Sequence, residues 1–135
     1  MIVVDSSAIV AMMLDEPGAE LLTIRLASEP ADERVMSAAN YVEAGTVLAG
    51  RHRTPARAAV ELDAFLAAVS IRLSPVDEEL ARLALAARIR FGKGFGSRSG
   101  LNYGDSFAYA LAKRLDAPLL FVGDDFGRTD LARAV

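Results

Sequence analysis

The sequence predicts an α/β domain with a mainly parallel sheet of about four to five strands flanked by helices. Three observations predict this fold class. Short apolar runs recur along the chain, longer stretches with apolar residues at helical spacing separate them, and no repeat, low-complexity segment or linker divides the 135 residues. Strands that alternate with helices favour a parallel sheet covered on both faces. A chain of this length suits one domain with one sizeable core, and we assign residues 1–135 to it.

The first strand is predicted over residues 1–4, because three β-branched residues follow the initiator methionine. The next apolar stretch, 6–16, is predicted to be a helix. Asp5 or Ser6 can cap its start, and Pro17 ends it.

A second helix over 18–28 has apolar residues at helical spacing, and a polar turn that contains proline separates it from a short strand over 34–36. A third helix is predicted over 37–53 from its composition, despite an internal glycine. The fourth helix, over 54–69, has a strong start signal, because Thr54 suits the N-cap and the proline after it suits the first helical position.

A strand is predicted over 70–76, where a proline marks its end. The helix over 77–92 has acids at its start and arginines at its end, which suits the helix dipole. A glycine-rich loop covers 93–104 and is followed by a helix over 105–116. The last strand spans 118–123, and a polar turn runs from there to the C-terminus.

Composition excludes several classes of protein. The chain has no cysteine, which excludes a disulfide framework and thiolate metal sites and fits the reducing cytoplasm. The net charge of −3 provides no overall basic field, so a polyanion would have to bind through local contacts or metal ions. No uncharged run approaches the roughly 20 residues that span a bilayer, and the N-terminus lacks a basic leader. We therefore expect a cytoplasmic protein without a membrane segment.

Acidic residues lie beside strongly apolar segments at four places. Asp5 is the only charge in the first fourteen residues, and Glu43 and Asp105 are likewise the only charges in the apolar segments around them. Asp124 and Asp125 follow the last predicted strand. Surface helices usually carry several mixed charges, so a lone acid in an apolar segment indicates a side chain that faces inward or into a cleft.

Each acid also has a purely structural interpretation. Asp5 can be a helix cap, Asp105 can be an acid in the first turn stabilised by the helix dipole, and Asp124 and Asp125 suit a turn. Glu43 lies in the middle of its helix, where no cap explains it. Its structural alternative therefore requires a buried arginine partner or an exposed face.

Together the acids predict a metal site. Ligands of open parallel sheets bind beyond the carboxyl ends of the strands, where Asp5 and Asp124 follow the first and last strand and the helices of Glu43 and Asp105 can reach. Carboxylates gathered there either take up protons or bind cations, and their hard oxygens suit Mg²⁺ or Mn²⁺. Such a site is typical of phosphate chemistry. One histidine, His52, without cysteine argues against zinc.

Basic residues near the glycine-rich loop are candidates for contacts with the phosphates of a bound nucleic acid. They are Arg88, Arg90, Lys93 and Arg98. The first two equally suit the C-terminal dipole of their helix.

Four motifs then resemble a known family: "MIVVDSSAIVAMML", "SAANYVEAGTVL", "GLNYGDSFAYALAK" and "LLFVGDDFGRTDL". Together they resemble the PIN-domain ribonucleases, in particular the VapC toxins of bacterial type II toxin–antitoxin modules. The resemblance covers nearly the whole chain in the order found in the family. Its most specific part is the third motif followed by Gly-Asp-Asp-Phe.

This resemblance implies a single PIN domain with a Rossmann-like sheet, cleavage of RNA that depends on Mg²⁺ or Mn²⁺, a homodimer and a VapB-type antitoxin partner. The main acids of the family, implied to bind metal and act in catalysis, match Asp5, Glu43 and Asp105. The fourth acid is Asp124 or Asp125, and Asp124 is preferred because it is nearer the strand end. Ser7 matches a small hydroxyl that orients a ligand.

A homodimer is also expected from the helix over 77–92, which has more apolar side chains than one core needs: Leu80, Leu83, Leu85 and Ile89.

Two other classes of protein with acids at the end of a sheet fit the sequence less well. A receiver domain would have lysine after a late strand, and a haloacid-dehalogenase-type phosphatase would have Asp-x-Asp after the first. The remaining alternative is a catalytically inert PIN-like module that binds RNA or protein.

Overall fold

The computed structural model describes residues 1–92, 94, 100–127 and 129–135. Within these residues the strands are β1 (Ile2–Val4), β2 (Arg34–Ser37), β3 (Arg72–Ser74) and β4 (Leu119–Leu120). The helices are α1 (Ser6–Met13), α2 (Ala19–Ala27), α3 (Ala38–Arg51), α4 (Arg57–Ala68), α5 (Glu78–Phe91) and α6 (Tyr103–Leu115). A short 3₁₀-helix, Ala31–Glu33, precedes β2.

The strands form one parallel sheet in the order β3-β2-β1-β4, which confirms the predicted fold class. β1 lies between β2 and β4, with Val3 opposite Val35 on one side and Leu119 on the other. Because successive side chains of a strand point to opposite faces, a strand covered on both faces must be apolar throughout. The first strand was recognisable in the sequence for this reason.

The core has one layer on each face of the sheet. Val3 packs on the face covered by α5 and α6, whereas Ile2 and Val4 pack on the face covered by α1 to α4. Leu80 of α5 is fully buried in the first layer, so it does not belong to the surface predicted to form a dimer. The exposed apolar side chains of α5 are Leu83, Leu85 and Ile89.

The start of α4 differs from the prediction. The helix begins at Arg57 rather than at Thr54, because the N–H groups of Arg57 and Ala58 donate to the carbonyls of Thr54 and Pro55 in tight turns (2.9 and 3.0 Å). Most other predicted elements are present with somewhat shorter bounds; α6 begins earlier than predicted. None of the helices in the described part of the chain combines the length and apolar character needed to cross a membrane.

Candidate active site

A cavity of about 360 Å³ lies at the carboxyl ends of the neighbouring strands β1 and β4. Residues that directly follow β1 and β4 line it, together with side chains from α3, the start of α6 and the turn between α1 and α2. Its acidic lining residues are Asp5, Glu16, Glu43, Asp105 and Asp125. The fold therefore gathers acids that are far apart in the sequence.

Asp5 follows β1 and is both the N-cap of α1 and a lining residue of the cavity. Its Oδ2 accepts hydrogen bonds from the backbone N–H of Ser7 (3.0 Å) and from Ser7 Oγ (2.6 Å). Ser7 Oγ accepts in turn from the N–H of Val122 (3.0 Å), which ties α1 to the segment after β4. Asp5 Oδ1 is buried without a hydrogen-bond partner. Helix capping therefore occupies only one of the two oxygens.

Glu43 reaches the cavity from the middle of α3. Its Oε1 accepts a short hydrogen bond from Ser6 Oγ and a second from Asn40 Nδ2 (3.2 Å). Among the described residues, no cationic group lies within salt-bridge distance of Glu43, so the buried arginine required by the structural alternative is not found there. The carboxylate is half-buried and held by neutral donors.

Asp105 is part of the capping box of α6. The Asn102 side chain accepts from the N–H of Asp105, and Asp105 Oδ2 accepts from the N–H of Asn102, both at 2.9 Å. The helix therefore begins at Tyr103, two residues before the predicted start. Asp105 is in the first turn, as predicted, and is only 5% exposed.

The fourth acid that the structure brings to the cavity is Asp125, not the preferred Asp124. After β4 the chain turns at Gly123, whose φ of +98° lies in the left-handed region. Phe126 is then buried against Phe121, with ring centroids 4.9 Å apart. This anchor places the half-buried Asp125 in the cavity lining and leaves Asp124 exposed outside it.

Burial and mutual repulsion perturb two of the acids. Burial raises the pKa of Asp5 from an ordinary 3.8 to about 6, although hydrogen bonds from Ser7 oppose the shift. The pKa of Asp105 is raised chiefly by burial and then by the charges of Asp5, Asp125 and Glu43, against the N–H of Asn102. The carboxylates therefore act on one another, as expected for a site that binds a cation.

The residues of the cavity fit a hard divalent cation such as Mg²⁺ or Mn²⁺. Their donors are carboxylate oxygens, and Asp5 Oδ1 is a buried acceptor that no protein group satisfies. In the described ranges, no three Asp, Glu or His side chains are already grouped closely enough to hold one ion. Glu43 is held toward Ser6 and Asn40 instead, and Asp105 toward Asn102.

Two of the predicted basic contacts are among the described residues, and neither is in the cavity lining. Arg88 is half-buried and donates to the carbonyl of Leu101 (3.0 Å). Arg90 is exposed, covers the Phe91 ring at 4.5 Å and lies 3.9 Å from Asp130. Their contact with nucleic acid stays a prediction. The other two predicted contacts lie outside the described residues: Lys93 and Arg98.

Sequence reasoning missed four polar residues at or beside the cavity: Ser6, Glu16, Asn40 and Asn102. One of them had a visible signal, because Asn102 stands three positions before Asp105, the spacing of a capping box. The roles of the others depend on contacts between distant segments. Glu16, for example, pairs with Arg51 of α3 at 3.8 Å.

The family of this chain is decided by its sequence profile. The profile of the family described as "PIN domain" matches residues 2–131. The chain belongs to the PIN domain family. This PIN domain is 47% identical over 130 residues to a protein named ribonuclease VapC from Mycolicibacterium smegmatis, with 96% of this chain and 97% of that protein covered. It is 45% identical over 130 residues to ribonuclease VapC30 of Mycobacterium tuberculosis, covering 96% and 95%. The resemblance to VapC proteins is confirmed.

Solved structures agree with this fold. The PIN domain superposes on VapC20 of Mycobacterium tuberculosis with a TM-score of 0.76 at 19% identity, covering 98% of this chain and 97% of that one. A VapBC-1 structure from nontypeable Haemophilus influenzae gives 0.72 at 20% identity, covering 98% and 96%. At these identities the likeness concerns the fold.

Proposed function

We propose that this PIN domain is an endoribonuclease that depends on Mg²⁺ or Mn²⁺ and acts as the toxin of a type II toxin–antitoxin module. One observation carries the proposal. Four of the five acids that line the cavity come from the motifs shared with the family, in a chain 47% identical to a ribonuclease VapC: Asp5, Glu43, Asp105 and Asp125.

These acids are the residues that would hold the cation. A bound Mg²⁺ or Mn²⁺ supplies positive charge that favours deprotonation of water and neutralises the phosphate under attack. Ser7 fixes Oδ2 of Asp5, which leaves Oδ1 as the oxygen directed to other partners. Ser6 and Asn40 both bind Oε1 of Glu43, and its Oε2 accepts no hydrogen bond from the described residues. The protein thus uses neutral donors to orient acids while keeping their charge.

The raised pKa values of Asp5 and Asp105 bear on the same proposal. Each of these carboxyl groups loses its proton less readily than an ordinary aspartate, because it is buried among other carboxylates. A divalent cation offsets that repulsion and so competes with protons for the site. Cleavage is therefore expected to weaken as the pH falls, first through the raised pKa of Asp105 and then through about 6, the pKa of Asp5.

An antitoxin and a second copy of the chain complete the proposal. The PIN domain superposes on a toxin–antitoxin complex from Klebsiella pneumoniae with a TM-score of 0.68, besides the VapBC-1 structure. This supports a VapB-type antitoxin partner that neutralises the toxin in the cytoplasm. The exposed side chains Leu85 (62%) and Ile89 (55%) on α5 favour a homodimer through this helix.

The test is RNA cleavage by the purified protein without antitoxin. A panel of labelled single-stranded RNAs is incubated in Mg²⁺, in Mn²⁺ and in chelator. We expect cleavage only with metal, loss of cleavage in Asp5→Asn and Glu43→Gln, and full activity in Glu61→Gln, which changes an exposed acid that lies outside the cavity and contacts His52. RNA that is bound but never cut would favour the inert module instead.

A further inference from the structure

Asn40 has a buried side-chain amide that donates hydrogen bonds to two groups beside the cavity. It lies one helical turn before Glu43 on α3 and is completely buried. Its Nδ2 donates to Glu43 Oε1 (3.2 Å) and to the carbonyl of Gly104 in α6 (2.9 Å). Both partners are acceptors, which fixes the orientation of the amide. Its Oδ1 is buried without a hydrogen-bond partner among the described residues, so the two bonds of Nδ2 alone link α3 to α6 through this side chain.

Gly104 is the second half of this link. A Cβ atom built at this position would lie 1.9 Å from Glu43 Oε2 and 2.4 Å from its Cδ, a separation that real atoms do not adopt. Its φ is not in the left-handed region, so the glycine is required for space and not for backbone freedom. The Glu43 carboxylate therefore lies directly against the first turn of α6, next to Asp105.

We infer that Asn40 is a positioning residue for Glu43 and that Gly104 provides the space into which Asn40 holds the carboxylate. The amide orients Oε1 and simultaneously fastens the backbone one residue before Asp105. It thereby sets the separation of two acids that belong to different helices. Nothing in Asn40 itself reaches the cavity, since its side chain does not line it.

The first test of this inference measures metal affinity and therefore rests on the proposed metal-dependent function. Groups that orient metal ligands typically change metal affinity by about 10- to 100-fold when they are removed. We expect Asn40→Ala to weaken binding of Mn²⁺, measured by titration calorimetry, within that range. Gly104→Ala should do the same from the other helix. Alanine suits a helix better than glycine, so weaker binding in that variant cannot be attributed to poorer helix propensity.

Ser106→Ala is the matched control. Ser106 is 2% exposed, follows Asp105 in the same helix as Gly104, and its hydroxyl donates to the carbonyl of Tyr103 (2.6 Å) rather than to one of the acids. It should lower thermal stability while leaving Mn²⁺ affinity unchanged. If Asn40→Ala and Gly104→Ala bind Mn²⁺ as tightly as Ser106→Ala, the positioning role is excluded. Gly104→Ala keeps this test decisive if Asn40→Ala does not fold.

A second test needs no metal and separates this inference from the proposed function. Unfolding by urea in chelator is compared for the parent, Asn40→Ala, Glu43→Ala and the double variant. If the two side chains interact, the change in the unfolding constant of the double variant differs from the product of the two single changes. We expect a difference of at least about threefold. Multiplicative effects would overturn the inference. A parent that binds no Mn²⁺ and cuts no RNA would refute the proposed function, while this cycle would still decide the role of Asn40.

Discussion

Replacing Asp5 with asparagine is expected to stabilise the metal-free protein near neutral pH, even though Asp5 caps a helix. Asp5 is 2% exposed, and its pKa is raised from 3.8 to about 6. Between these values the folded state binds the proton more tightly than the unfolded state, so stability falls as the pH rises from about 4 to 6. At pH 7.5 the ionised carboxylate costs about 3 kcal/mol, because each pKa unit corresponds to about 1.4 kcal/mol.

The neutral amide avoids this cost and keeps the cap. Its oxygen still accepts from Ser7, while its N–H group takes the place of the unpartnered Oδ1 and loses about 1 kcal/mol if it finds no good acceptor. The net gain is about 2 kcal/mol, or roughly 6 °C in Tm for a domain of this size. The gain should shrink toward zero near pH 4, where the parent carboxyl is protonated.

Thermal melts in chelator at pH 7.5 and pH 4.5 test this reasoning, with Asp77→Asn as the control. Asp77 caps α5 in the same manner, but it is exposed, and the N–H of Leu80 followed by Arg114 lowers its pKa. Its ionised form stabilises the fold, so the asparagine variant should melt lower than the parent at pH 7.5, and the loss should fade as acid protonates Asp77. If Asp5→Asn also melts lower at pH 7.5, Asp5 is a cap and nothing more.

Three further outcomes follow from the site and the surface. Asp125→Asn should abolish the rise in Tm that millimolar Mn²⁺ gives the parent, whereas Asp124→Asn, outside the cavity, should retain it. Equal rises in Tm for the two variants, measured by scanning calorimetry, would contradict the assignment of Asp125 to the site. Glu43→Gln should relieve the growth arrest that expression of the parent causes, and a soluble variant that remains equally toxic would remove Glu43 from the site. The parent should sediment as a dimer at micromolar concentration, and glutamate at both Leu85 and Ile89 should shift it to monomer; a monomeric parent would contradict the dimer.

The sequence predicted those features that local chemistry determines. Ile2, Val3 and Val4 read as a buried strand because both faces of the sheet are covered. Glu43 was singled out because a charge in the middle of an apolar helix has no local explanation, and the structure places it in the cavity lining.

Features that depend on packing between distant segments could not be predicted from the sequence. Adjacent acids such as Asp124 and Asp125 are indistinguishable until the turn at Gly123 and the burial of Phe126 decide which one faces the cavity. The prediction that α4 starts at Thr54 was wrong, because the Thr-Pro pair forms a turn that precedes the helix. The contact of Asn40 with α6 likewise has no signature within α3.

The order of the acids along the chain has a consequence for synthesis. Besides Glu16 in the turn after α1, the cavity takes one acid from the segment after β1, one from α3, one from the start of α6 and one from the segment after β4. β4 pairs directly with β1. A nascent polypeptide emerging from the ribosome therefore lacks a complete acidic cavity until its last strand has joined its first. For the proposed toxin, this order separates translation from toxicity and leaves an interval in which the proposed antitoxin can meet the chain before the site is complete.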